Sequence, residues 1–289
     1  MEMSEARRAI AAATSVAASV DLAASDAIVL HNSNRLALRL RPCDVLARVA
    51  TVEHGGAQLE IELAQRLAAA GCPVGRVADP LVHTRDGFTV TLWTYHEPVT
   101  PHTPPVDYAK ALELLHVGMR EVDVPSPRFT DRIAEAEEVV ANPDLSPELA
   151  DADRVFLSGR LESLRRAIDD RGAVEQLLHG EPHQGNVLNT RNGPLFIDLE
   201  TCCRGPVEFD LAHAPEAVCQ HYPNVDQGLL EECRQLILAM VAAWRWERGD
   251  QFPNGRRFRE EFLRALREGP PWPTLDAINK RLAGTPSPR

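Results

Sequence analysis

The sequence predicts an α+β fold of two lobes, a small strand-rich N-lobe and a larger helical C-lobe. Three observations predict it. Short apolar runs punctuated by turn residues fill the first hundred positions, with one long helix pattern among them. A proline-dense stretch, "PVTPHTPPVDY", follows. Beyond it, long charged helical patterns dominate and only one hairpin pattern interrupts them. These features place an N-lobe at 1–97, a hinge at 98–105 and a C-lobe at 106–289.

Each element has its own signal. Residues 5–20 read as an alanine-rich helix. "DAIVLHNSNRLALRL" is two apolar runs around the polar His31–Asn34, a hairpin. "DVLARVAT" (44–51) is a third short strand. In "GGAQLEIELAQRLAAAG" (55–71) Leu59, Leu63 and Leu67 recur on one helical face, and Gly71 stops the helix. "LVHTRDGFTVTLWTYHE" (81–97) is a hairpin turning at Arg85-Asp86-Gly87. After the hinge, helices are expected at 106–120, 130–140, 147–170, 226–248 and 256–268. "VLNTRNGPLFIDLE" reads as a hairpin turning at Arg191-Asn192-Gly193.

Composition narrows the function. The formal charge of −11 argues against a nucleic-acid binder or an anionic-membrane binder. It leaves room for a small anionic ligand held by local arginines. The six cysteines show no C-x-x-C spacing, so reduced thiols and a cytoplasmic setting are expected. The alanine-rich start imitates a signal peptide, but Glu2 and Glu5 spoil a basic n-region and Thr14, Ser15 and Ser19 interrupt the apolar run. Lysine occurs only at 110 and 280, so none is available to the first hundred residues. Residues 131–153 carry eight acids against Arg132 alone. A solvated helical face is the default reading, and a wall for a cationic ligand the alternative.

The chemistry concentrates in "LLHGEPHQGNVL" (177–188). Glu181 and Asn186 stand five apart, the acid-to-amide spacing of a kinase catalytic loop. Phosphoryl transfer needs a carboxylate at the attacking hydroxyl, oxygen ligands for Mg²⁺, and a cation on the phosphates. Glu181 can supply the first and Asn186 an amide oxygen. Asp198 closes the strand "PLFID", and the 187–197 hairpin returns it beside Asn186. His179 and His183, at i and i+4, hint at zinc, but Gly180 and Pro182 break the helix that such a pair needs.

The run "HGEPHQGNVL…FIDLE…GPVEFDLAHAP" resembles the aminoglycoside phosphotransferase and choline kinase-like family. His179, Gly180, Glu181, His183, Asn186, Asp198, Gly205, Pro206, Asp210, Leu211 and Ala212 carry the likeness. "ELAQRLAAAGCPV" and "VTLWTYHEPV" resemble that family more loosely, and the whole likeness spans most of 28–250. It implies a protein-kinase-like fold that binds ATP, or GTP, between its lobes. It puts Glu181 in the catalytic-base position, where the family has aspartate, and Asn186 and Asp198 in the Mg²⁺ positions. Arg48 takes the place of the usual lysine on strand three, paired with Glu62. The turn Asn32, Ser33 and Asn34 would lie over the phosphates, and the backbone of Thr94, Tyr95 and His96, to Glu97, would meet the base. Asp210 would accept backbone hydrogen bonds from the catalytic loop. The implied partner is a small-molecule hydroxyl acceptor such as an aminoglycoside or amino sugar, a cationic one included, acted on by a monomer or homodimer. Glutamate at 181 and arginine at 48 motivate a competing expectation, a catalytically impaired nucleotide-binding pseudo-kinase.

Overall fold

The computed structural model describes residues 1–33, 35–53, 55–99, 102–250, 252 and 254–283. In chain order its first elements are α1 (Met3–Ser19), β1 (Ala24–Asn32), β2 (Leu36–Pro42), β3 (Val45–Thr51), α2 (Ala57–Ala69), β4 (Val77–Arg85) and β5 (Phe88–Thr94). There follow α3 (Pro105–Arg120), α4 (Phe129–Ala141), α5 (Asp151–Asp170), β6 (Gln176–Leu178), β7 (Val187–Thr190), β8 (Gly193–Phe196) and β9 (Cys203–Gly205). The last are α6 (Val207–His213), α7 (Glu216–Cys219), α8 (Gln227–Trp244), α9 (Gly255–Glu268) and α10 (Leu275–Ala283).

The chain forms two compact units, 1–102 with 188–200, and 103–187 with 201–289. The expected lobes need one correction here. Residues 188–200, expected in the second lobe, pack with the first unit. The cause is backbone pairing: Phe196 N donates to Pro73 O at 2.7 Å, Gly75 N to Phe196 O at 2.9 Å, and Val99 N to Asn189 O at 3.0 Å. Phe196 is fully buried by this arrangement.

The first unit is an antiparallel sheet in the order β1-β2-β3-β5-β4. Side chains alternate across a strand with period two. Leu36, Leu38 and Leu40 of β2 and Val45, Ala47 and Val49 of β3 therefore face one way, into a core with Ala9, Ala12, Ala13, Val16 and Ala17 of α1. Small alanines let the helix lie close against the leucines. The same alternation turns Arg48 to the other face. Helix α2 buries Glu60, Ile61, Leu63, Ala64 and Leu67, so one carboxylate belongs to its inner stripe.

The second unit is built around α8, which buries Leu229, Leu230, Leu236, Ile237, Leu238 and Met240 and packs on α4, α5, α6 and α9. The three-residue strands β6 and β9 pair antiparallel, Gln176 with Gly205 and Leu178 with Cys203. They deliver the chain into the loop that begins at His179. These strands, and α6, α7 and α10, were not expected from sequence, because such short segments hold too few residues to display a period. Cys202 and Cys203 are both buried, and burial pushes the Cys203 thiol up to about 12, where it is no nucleophile. No described helix is long and apolar enough to cross a membrane.

Candidate active site

In the first unit, two arginines and three carboxylates interlock. Glu60, only 2% exposed, binds Arg48 through Oε1 and Arg35 through Oε2, the latter at 3.0 Å. Arg48 Nη2 reaches Asp198 Oδ1 at 2.5 Å, and Arg35 pairs with Glu200 and lies 3.9 Å from Asp198. Leu199 N donates to Glu60 Oε1 at 3.2 Å, tying the segment after β8 to α2. Burial works against the Arg48 charge, but Glu60 and Asp198 outweigh it and raise its pKa. Asp198 adopts φ +68°, a left-handed conformation that costs a non-glycine residue about 1–3 kcal/mol and recurs at functional sites.

The carboxylate beside Arg48 is thus Glu60, not the expected Glu62. Glu62 points outward and pairs with Arg66 one turn on, both about half exposed. A stripe at 60, 64 and 67 carries the inner face of α2, and position 62 lies off it. Arg35 has no counterpart in the sequence reading; it stands one residue before β2. Asn32 ends β1, and its side chain donates to Met1 O at 3.0 Å. Ser33 closes the turn, its N–H donating to Arg35 O at 3.1 Å. Asn34 lies outside the described residues. Thr94 ends β5, and Tyr95 and His96 follow it. Thr94 N donates to Arg76 O at 2.8 Å, and the Tyr95 ring stacks under Arg39 at 4.0 Å. Burial and the nearby Arg76 lower the His96 pKa.

In the second unit, the backbone of the 179–186 loop is clamped. Asp210 is fully buried on α6 and accepts His179 N at 2.9 Å and Gly180 N at 2.8 Å. His116 Nε2 meets the same carboxylate at 2.9 Å, and its Nδ1 meets Tyr222 Oη at 2.7 Å. Burial opposes the Asp210 charge, but His116 and the Gly180 N–H win and keep its pKa low. Tyr108 Oη donates to Pro182 O, and Thr201 Oγ1 to His179 O at 3.2 Å. Gly180 has φ +88°, and a Cβ there would sit 1.9 Å from Thr201 O. Only glycine fits that turn.

The loop presents Glu181 and Asn186 together. Asn186 Nδ2 donates to Glu181 O at 3.0 Å. The Glu181 carboxylate is 27% exposed, and its Oε1 is bound by Arg132 of α4, which sequence reasoning treated only as the lone base in an acidic run. Arg132 also donates to Gly180 O at 3.1 Å and lies 5.2 Å from the Trp244 ring. Burial alone would raise the Glu181 pKa; Arg132, through charge and hydrogen bond, more than reverses that and lowers it. Four of the eight acids of 131–153 are engaged as structure. Asp131 accepts Arg128 N at 2.8 Å at the start of α4, Glu137 pairs with Arg165, Glu148 with Arg259 and Asp153 with Arg267.

Each unit offers an oxygen donor of the kind a hard cation takes. Among the described residues, Asp198 Oδ2 has no partner while Oδ1 holds Arg48. The Asn186 amide spends an N–H on Glu181 O, and its oxygen is an acceptor by chemistry. Mg²⁺ takes hard oxygen ligands of both kinds, carboxylate and amide.

Comparison with known proteins bears on the family and the fold. The phosphotransferase enzyme family matches residues 29–276. The stress response kinase A of Salmonella paratyphi A is 34% identical over a stretch covering 24% of this chain and 27% of that protein. A serine/threonine protein kinase of Salmonella typhimurium matches at the same identity and coverage. The chain thus spans about a quarter of the length of these curated relatives. Among solved structures, a choline/ethanolamine kinase family protein from Mesorhizobium loti superposes with a TM-score of 0.69 at 18% identity, covering 93% of this chain and 96% of that one. An amicoumacin kinase in complex with AMP-PNP and Ca²⁺ gives a TM-score of 0.70 at 10% identity, covering 96% and 100%. These likenesses give the fold, that of protein-kinase-like small-molecule kinases.

Proposed function

The chain belongs to the phosphotransferase enzyme family, and on that premise we propose that it transfers the terminal phosphoryl group of ATP or GTP to a hydroxyl of a small molecule. The observation that carries the reading is the ion-pair chain Arg35–Glu60–Arg48–Asp198. It supplies two cations for phosphates, both fixed by one buried carboxylate. Arginine grips phosphate with a planar fork, so its presence at 48 is compatible with the role of the absent lysine. Asp198 and Asn186, the metal positions that the family likeness implies, would hold Mg²⁺, which when bound offsets phosphate charge. Glu181 accepts a hydrogen bond from the acceptor hydroxyl through Oε2 and takes its proton as the new O–P bond forms and the bond from the γ-phosphorus to the bridging oxygen breaks, releasing the nucleoside diphosphate. Phosphoryl transfer runs through a loose transition state, so orientation of the hydroxyl matters more than basicity. A carboxylate kept ionised by Arg132 meets that need. The rate gain comes from positioning and charge compensation.

Amine-bearing alcohols are the first acceptors to try, because the neighbours include a choline/ethanolamine kinase family protein and a phosphotransferase solved with kanamycin. A second reading, a nucleotide-binding module without turnover, draws on one observation: half of the Glu181 carboxylate is already occupied by Arg132. One experiment separates the two. The protein is incubated with ATP or GTP, Mg²⁺, and choline, ethanolamine, kanamycin or a serine-containing peptide in turn. Acceptor-dependent release of the nucleoside diphosphate is expected. Tight nucleotide binding with no release on any acceptor would favour the module.

A further inference from the structure

We propose that Arg132 is a positioning residue of the reaction: it holds one oxygen of Glu181 so that the other meets the acceptor hydroxyl in a single orientation. The inference rests on the phosphotransferase reading above. The Asp210 and Tyr108 hydrogen bonds fix the loop backbone on both sides of Glu181. They do not fix its side chain, which has three torsions between backbone and carboxylate. Arg132 does. It comes from the first turn of α4, far from the loop in sequence, and is itself held on three sides. Nη1 donates to Gly180 O at 3.1 Å, Nη2 pairs with Glu181 Oε1, and the guanidinium lies 5.2 Å from the Trp244 ring. A planar fork bound at both ends cannot swing without losing a bond. Among the described residues Glu181 Oε2 has no partner, so one oxygen is spent on position and one is left for chemistry.

The pair also explains why glutamate works at 181. From the same backbone position an aspartate ends one methylene short and cannot keep an oxygen on Arg132. The length of Glu181 and the placement of Arg132 are therefore one device.

The test is steady-state ADP release from Mg²⁺-ATP, with kanamycin, choline and ethanolamine in turn and with water alone. Arg132→Met is expected to lower kcat on the order of 10²-fold, the cost of misplacing a reacting group by about an ångström, while the ATP KM stays within about threefold. Arg132→Lys should recover roughly tenfold of that loss, since an ammonium reaches one acceptor but not both. Glu181→Asp should lose about as much as Arg132→Met, and combining the two should cost little more, because both act on one orientation. Wild-type kcat in Arg132→Met, a raised ATP KM with kcat intact, or multiplicative losses in the double variant would overturn the proposal. If Arg132→Met does not fold, Arg132→Lys decides: kcat reduced with ATP KM unchanged supports it, and kcat unchanged overturns it. No ADP release by the wild type on any acceptor removes the phosphotransferase reading itself, whereas an active enzyme indifferent to Arg132 removes this role alone.

Discussion

Neutralising Glu60 should damage the first unit, and neutralising Glu62 should not, although the two are neighbours in sequence. Glu60 is 2% exposed and lies between two guanidiniums that are 12% and 14% exposed. Glu60→Gln keeps the shape and removes the charge. Arg35 and Arg48 are then left facing each other, each compensated on one side only by Glu200 and Asp198. Breaking a buried pair by removing one partner costs about 3–5 kcal/mol. Because each arginine retains one carboxylate, the lower end, about 3 kcal/mol, is expected, or roughly 10 °C in the melting of a unit of this size. Glu62 makes a half-exposed pair with Arg66 one turn away, worth about 0.3–0.5 kcal/mol, so Glu62→Gln should shift melting by only a degree or two. Circular-dichroism melts read stability, and calorimetric titration of Mg²⁺-ATP reads the phosphate grip. Equal losses in the two variants, or a neutral Glu60→Gln, would refute the assignment of Glu60.

Three further outcomes follow from the geometry. Gly180→Ala puts a Cβ 1.9 Å from Thr201 O at φ +88°; the loop must move by about 1 Å, which predicts turnover reduced on the order of 10²-fold with ATP affinity unchanged. A wild-type kcat in that variant would show that the loop geometry does not matter. His213 is buried with neither ring nitrogen hydrogen-bonded among the described residues, and burial, with Arg132 nearby, drives its pKa well below the usual value. The unfolded chain then takes up its proton first, so this stability is full above about pH 6.5 and falls by roughly 1.4 kcal/mol per pH unit as pH drops below that. Urea midpoints between pH 5 and 7.5 should lose that slope in His213→Gln; an unchanged slope assigns it elsewhere. Asp198→Ala should abolish the Mg²⁺ dependence of ATP binding and leave acceptor-independent folding intact, read by calorimetry with and without the metal.

The sequence made strand and helix identity legible wherever a segment was long enough to repeat. The hairpin at 24–42 shows in the alternation of Leu36, Leu38 and Leu40, and α2 shows in its leucines. The Glu181–Asn186 spacing and the aspartates at 198 and 210 were visible because each is local to a loop, a strand end or a helix start. What sequence could not display was pairing across distance. Arg132 stands 49 residues before Glu181, and nothing local distinguishes it from a solvent-facing base. Arg35 reaches Glu200 across 165 positions on the same terms. Glu62 was assigned from the family likeness alone, whereas Ile61, Ala64 and Leu67 put position 60 on the buried face of α2. The placement of 188–200 depended on backbone pairing with Pro73 and Gly75, which leaves no side-chain signature.

Phosphorus NMR of the reaction mixture tests the central claim most directly. The protein, Mg²⁺-ATP and the acceptor that releases most ADP are followed until the γ-phosphate resonance decays. A new phosphomonoester resonance on the acceptor is expected, with Glu181→Gln failing to produce it while still binding ATP. ATP bound but unconsumed, or a phosphomonoester formed at the wild-type rate by Glu181→Gln, would contradict the account.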